Sequence, residues 1–109
     1  MSHETYAACI KACNACAVAC NNCFAACLKE EDVKVMSKCI ALDTDCTAMC
    51  QLAAGAMARD SGHAIAVCAL CAEICKACGD ECAKHKAAHC QACAKACYAC
   101  AAACLAMPN

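Results

Sequence analysis

The chain has 109 residues and a formal net charge of −1, which fits one domain, residues 1–109, with a modest core. Its 9 Lys and Arg and 10 Asp and Glu are scattered, which excludes the basic patch that nucleic-acid binding requires. The 64% apolar share is mostly 30 Ala and 19 Cys, beside 21 Ile, Val, Leu, Met, Phe and Tyr and no Trp, so little bulky material is available to fill an interior.

A first helix is expected from Ser2 or Thr5, either of which can cap it, to Leu28. Within it Cys9, Cys13, Cys16, Cys20, Cys23 and Cys27 recur at alternating steps of four and three. Such steps place side chains on one helix face, at the seam positions of a bundle. The acidic run Glu30-Glu31-Asp32 suits the N-terminus of a second helix, whose dipole favours negative charge. That helix would end near Arg59, and its seam reads Met36, Cys39, Asp43, Cys46, Cys50, Ala53, Met57.

Asp60-Ser61-Gly62 reads as a turn, with Ser61 as cap of a third helix. This helix carries Cys68, Cys71, Cys75, Cys78 and Cys82 and runs to about Lys84, despite Gly79, which costs about 1 kcal/mol against Ala. A turn around Lys86-Ala87 leads into a fourth helix with Cys90, Cys93, Cys97, Cys100 and Cys104, closed by Pro108. Loops this short join antiparallel neighbours, so the expected fold is all-α, an antiparallel up-down-up-down four-helix bundle with a cysteine-lined core. Ile10, Phe24, Leu42, Met49, Ile65, Leu70, Ile74 and Leu105 flank the stripe and would form a partial apolar collar or a subunit interface.

The first residues lack a basic n-region, and the longest charge-free run, Ala12 to Leu28, is too short and too polar for a membrane span. A cytoplasmic protein with no membrane association is therefore expected. Cysteines stay reduced in that compartment, so a dense set points to metal or redox work.

Disulfides fit the spacing badly. Residues three or four apart on a helix have Cβ atoms about 5–6 Å apart, whereas a disulfide wants about 3.8 Å. A single cysteine reads best as a small buried apolar residue, but no stability argument selects thiol over Leu 19 times. Zinc prefers C-x-x-C knuckles on turns that wrap the ion, and iron–sulfur clusters likewise need loops. Cu(I) is soft and accepts two or three thiolates, which pairs on straight helices can offer. A monovalent ion at roughly one per thiolate would also neutralise the core. The expectation is many Cu(I) ions per chain, held by Cys9, Cys13, Cys16, Cys20, Cys23, Cys27, Cys39, Cys46, Cys50, Cys68, Cys71, Cys75, Cys78, Cys82, Cys90, Cys93, Cys97, Cys100 and Cys104. So many equivalent ligands without a nucleophile–base pair suit storage and not an enzyme.

Over essentially its whole length, in the C-x-x-x-C pairs Cys9/Cys13, Cys16/Cys20, Cys23/Cys27, Cys46/Cys50, Cys71/Cys75, Cys78/Cys82, Cys93/Cys97 and Cys100/Cys104 and the lone Cys39, Cys68 and Cys90, the chain resembles the cytosolic branch of the bacterial copper storage proteins. The resemblance implies Cu(I) storage and detoxification inside a four-helix bundle, a homotetramer, and metal uptake at one open end of each bundle. It implies two histidines and an acid at that mouth, which His85, His89 and Asp43 match, with Met36 beside them. Tyr6, Met57 and Met107, with His63 near by, would stand at the opposite end; the methionines there are core filler, transient stations or a plug. His3 and His63 read as surface residues. Partners would be copper ions and a copper chaperone or competing thiol ligand. The competing readings are a metallothionein-like buffer of Zn(II) or Cd(II) and a thiol redox protein.

Overall fold

The computed structural model describes residues 6–107; the expected caps Ser2 and Thr5, His3 and the terminating Pro108 lie outside them. Four helices follow in order: α1 Ala7–Cys27, α2 Ser37–Ala58, α3 Ala64–Ala83 and α4 Ala88–Leu105. Among the described residues none of the four carries a side-chain N-cap bond. Ala-rich composition and burial of one face must therefore hold them. No described helix is long and apolar enough to cross a membrane.

The helices form a closed square, α1 against α2 and α4, and α3 against α2 and α4. Cys9 faces Cys104 at one end of the α1/α4 pair and Cys27 faces Cys90 at the other, so these helices are antiparallel. Cys50–Cys71 and Cys39–Cys82 show the same for α2 and α3. The result is a rod of 46 × 18 × 17 Å.

The interior is layered by side-chain size. Among the described buried apolar residues only Tyr6, Met36 and Met57 are larger than Cys, the rest being Cys and Ala. Met36 stands at one end of the rod, and Tyr6 and Met57 at the other. Thiols and Ala therefore fill the middle. Of the expected collar, Ile10, Leu42, Met49, Ile65 and Ile74 pack partly buried against the core. Phe24, Leu70 and Leu105 instead face outward, Leu105 at 73% exposure.

Two helix starts differ from expectation. Glu30-Glu31-Asp32 does not open α2; a 3-10 turn, Val33–Met36, intervenes, and α2 begins at Ser37. Ser61 does not cap α3. Its hydroxyl accepts the His63 N–H at 3.1 Å, closing a local turn one residue before the helix, and exposed His63 takes the cap position. The preceding reversal puts Asp60, not Gly62, in the left-handed region at φ 52°. Ser61 N–H then reaches back to Ala56 O and Asp60 N–H to Met57 O, the bond pair of a Schellman end.

Gly79 has a packing reason. A Cβ there would lie 2.8 Å from Cε1 and 3.1 Å from Cδ1 of Tyr98, whose ring crosses from α4 onto α3 and donates its hydroxyl to Asp80 Oδ1 at 2.7 Å. Gly79→Ala should therefore gain nothing in the native chain, because the displaced ring offsets the helix-propensity gain. In a Tyr98→Ala background the same change should stabilise by about 1 kcal/mol. Urea denaturation of the four variants reads the difference, and equal effects in both backgrounds would refute the notch.

Candidate metal site

All nineteen cysteines are free and buried. Within a helix, the four-residue step brings the sulfurs of Cys16/Cys20, Cys23/Cys27, Cys46/Cys50, Cys71/Cys75 and Cys93/Cys97 to 3.7–4.0 Å of each other. Between helices the separations are the same or shorter. Cys46–Cys75 is 3.5 Å, Cys13–Cys100 3.6 Å, Cys20–Cys93 3.7 Å and Cys39–Cys82 3.1 Å. Contact also crosses the diagonal, Cys50 to Cys100 at 3.8 Å and Cys46 to Cys97 at 3.9 Å. One continuous column of sulfur thus runs along the axis.

The sulfurs group into tetrads whose ligand atoms lie within 4.8 Å of one another. These tetrads share members: Cys16 and Cys46 belong both with Cys50 and Cys75 and with Cys20 and Cys97, and the latter two also join Cys78 and Cys93. An S–S spacing of about 3.8 Å is also what tetrahedral zinc at about 2.3 Å from each sulfur requires, so distance alone does not select the metal. Charge does. A closed four-thiolate zinc site keeps a net charge of about −2. Among the described residues the buried polar or charged side chains are Asp43 and Glu81, both acids, so no buried base could balance that charge. Monovalent ions bridged by shared thiolates leave the column neutral.

Without metal the thiols divide: hydrogen bonds from Cys104 and Cys13 lower Cys9, and those from Cys23 and Cys82 lower Cys39. Burial pushes the Cys68 and Cys90 thiols up to about 11 and raises Cys27 as well. A bound cation reverses this, because its positive charge stabilises each thiolate it touches.

The acid and the histidines split into three different environments. Asp43, expected at the mouth, is instead fully buried at 0% exposure, one turn of α2 inward from Cys39. Cys78 and Cys93 donate to its Oδ1 at 3.3 Å each, Cys82 at 3.7 Å, and Cys39 to Oδ2 at 3.9 Å. Burial raises its carboxyl to about 9. It is thus a neutral acid inside the column when no metal is present.

His89, in the first turn of α4, meets the thiols directly. Its Nδ1 lies 3.5 Å from Cys90 Sγ, 3.7 Å from Cys23 Sγ and 3.9 Å from Cys27 Sγ. These three form a tetrad with Cys39. His85 turns away, its Nε2 3.0 Å from Glu81 Oε2, with Lys38 and Lys84 on the other carboxylate oxygen at 3.8 and 3.5 Å. Met36 is buried at the end of the 3-10 turn. Two acids escaped the sequence reading. Glu81 was findable, since it lies four residues before His85 on one face; Glu30 was not, because its partner His89 is 59 residues away.

The sequence profile of the copper storage protein family matches residues 2–109. The uncharacterized cysteine-rich protein YhjQ of Bacillus subtilis is 54% identical over 78 residues, 72% of each chain. The Cu(I)-bound copper storage protein Csp3 of Bacillus subtilis superposes with a TM-score of 0.93 at 51% identity, covering 96% of this chain and 99% of that one. A cytosolic copper storage protein from Streptomyces lividans, loaded with five coppers, superposes with a TM-score of 0.92 at 42% identity, covering 96% and 92%. With its profile matched almost from end to end and its thiol column built on the same bundle, this chain belongs to the copper storage protein family.

Proposed function

We propose that this chain takes up and stores Cu(I), about one ion per thiolate, within the sulfur column of its bundle. The observation that carries this reading is a set of shared buried tetrads in a core where, among the described residues, the two buried charged side chains are both acids. That environment accepts a soft monovalent cation many times over and disfavours a divalent ion in isolated four-cysteine sites. The zinc or cadmium buffer is therefore not favoured.

Copper enters at the end bearing His85, His89, Met36, Cys27 and Cys90. His89 is the donor nearest the outermost tetrad, and Asp43 is a station one turn further in. Imidazole and carboxylate hold Cu(I) less tightly than thiolate, so they hand it inward by ligand exchange. Release follows the same chemistry, by a competing thiol ligand or a copper chaperone. The protein works in the cytoplasm, holding copper out of harmful reactions, without catalysis. It assembles as a homotetramer, consistent with Val18, Leu52, Leu70 and Leu105 all standing 46% exposed or more.

The test is an anaerobic titration of the reduced protein with Cu(I) against a chromophoric chelator. The expected result is tight uptake of about one ion per cysteine to a sharp end point. Saturation after one or two ions, or preference for Zn(II), would overturn the storage reading.

A further inference from the structure

The misplaced acidic run carries a consequence for the mouth. The turn after α1 is pinned by Glu30 N–H bonding Cys27 O at 3.1 Å, and it sends the Glu30 side chain across to α4 instead of to the start of α2. There its Oε1 lies 3.3 Å from His89 Nε2. The opposite ring nitrogen, Nδ1, faces the sulfurs of Cys23, Cys27 and Cys90 at 3.5–3.9 Å. An imidazole that donates its Nε2–H to a carboxylate has its lone pair on Nδ1.

We propose that Glu30 is the positioning residue of copper uptake: it fixes both the tautomer and the ring orientation of His89, so that Nδ1 presents a lone pair over the outermost thiols. This rests on the reading of His89 as the first inner donor. Histidine ligands elsewhere are held by an outer carboxylate in the same way, and losing that carboxylate costs about 10–100-fold in affinity or activity. A partly exposed hydrogen bond of this kind adds little stability, so its effect should appear in ligand geometry. The neighbouring His85–Glu81 pair does not serve the same end, because Glu81 is shared with Lys38 and Lys84 and holds its histidine away from the column.

The experiment follows uptake of the first ions by stopped flow, with Cu(I) supplied as its acetonitrile complex to reduced, metal-free protein. Glu30→Ala should slow uptake about tenfold while total capacity stays the same. Glu30→Gln should stay within about twofold of the native rate, because its carboxamide oxygen still accepts the ring N–H. Glu30→Ala combined with His89→Ala should be no slower than His89→Ala alone. In the copper-free protein, ¹⁵N NMR should show His89 as the Nε2–H form, and a tautomer mixture in Glu30→Ala.

A native uptake rate or an unchanged His89 spectrum in Glu30→Ala would overturn the proposal. So would a Glu30→Gln rate as slow as Glu30→Ala, since attraction of the cation by charge alone predicts that result. Native uptake by His89→Ala would instead remove the role of His89 itself, a separate failure read from a separate variant.

Discussion

Replacing Cys16, Cys20, Cys46 and Cys97 together by Ala is expected to lower Cu(I) capacity by about one fifth and to split loading into a fast and a slow phase. Charge balance sets the first effect, since four of nineteen thiolates are lost and each neutralises about one monovalent ion. Position sets the second. These four form one mid-column tetrad and share members with the tetrads on either side, so their loss interrupts ligand exchange from the His89 end to Cys9 and Cys104. The comparison is Cys9, Cys13, Cys100 and Cys104 replaced together, at the far end of the α1/α4 pair. That variant should lose the same number of ions and keep a single phase. Stopped-flow uptake and a chelator-backed end point read both quantities. Unchanged capacity in the central variant would refute ligation in the core.

Between pH 5 and pH 7 the buried Asp43 carboxyl should cost the metal-free bundle about 3 kcal/mol of stability, a contribution that Asp43→Asn removes. The Asp43 carboxyl is raised to about 9 in the fold, against about 3.9 for an unfolded chain. Between those values the folded state keeps a proton that the unfolded state has released, so stability falls as pH rises. Two pH units at about 1.4 kcal/mol each give the magnitude. Urea denaturation of reduced protein at pH 5, 6 and 7 reads it, and equal slopes for the native chain and Asp43→Asn would refute the buried neutral acid. Cu(I) among Cys39, Cys78, Cys82 and Cys93 should work against this dependence, because a cation favours the carboxylate.

Asp43 also shows how far a sequence pattern reaches. Its place in the seam of α2 was legible because steps of four and three put residues on one face whatever lies opposite. Its depth was not, because depth depends on where α3 and α4 begin and on which of their cysteines come level with it. The same division separates the histidines. His85 and His89, four apart, look equivalent along the chain. Yet His89, in the first turn of α4, aims its ring at thiols, while His85, in the turn after α3, aims its ring at Glu81.

By itself, then, the sequence determined four helices, their seams, the count of thiols and the preference for a soft monovalent ion. All of these depend on local periodicity and ligand chemistry, which need no knowledge of neighbours. Only the tertiary structure decided that the four seams merge into one column with shared tetrads, that Asp43 is sealed among thiols, that Gly79 makes room for Tyr98, and that Glu30 reaches His89. Each of these is a contact between residues far apart in the chain, set by helix offset and by the path of a short turn. Neither leaves a periodic trace in the sequence.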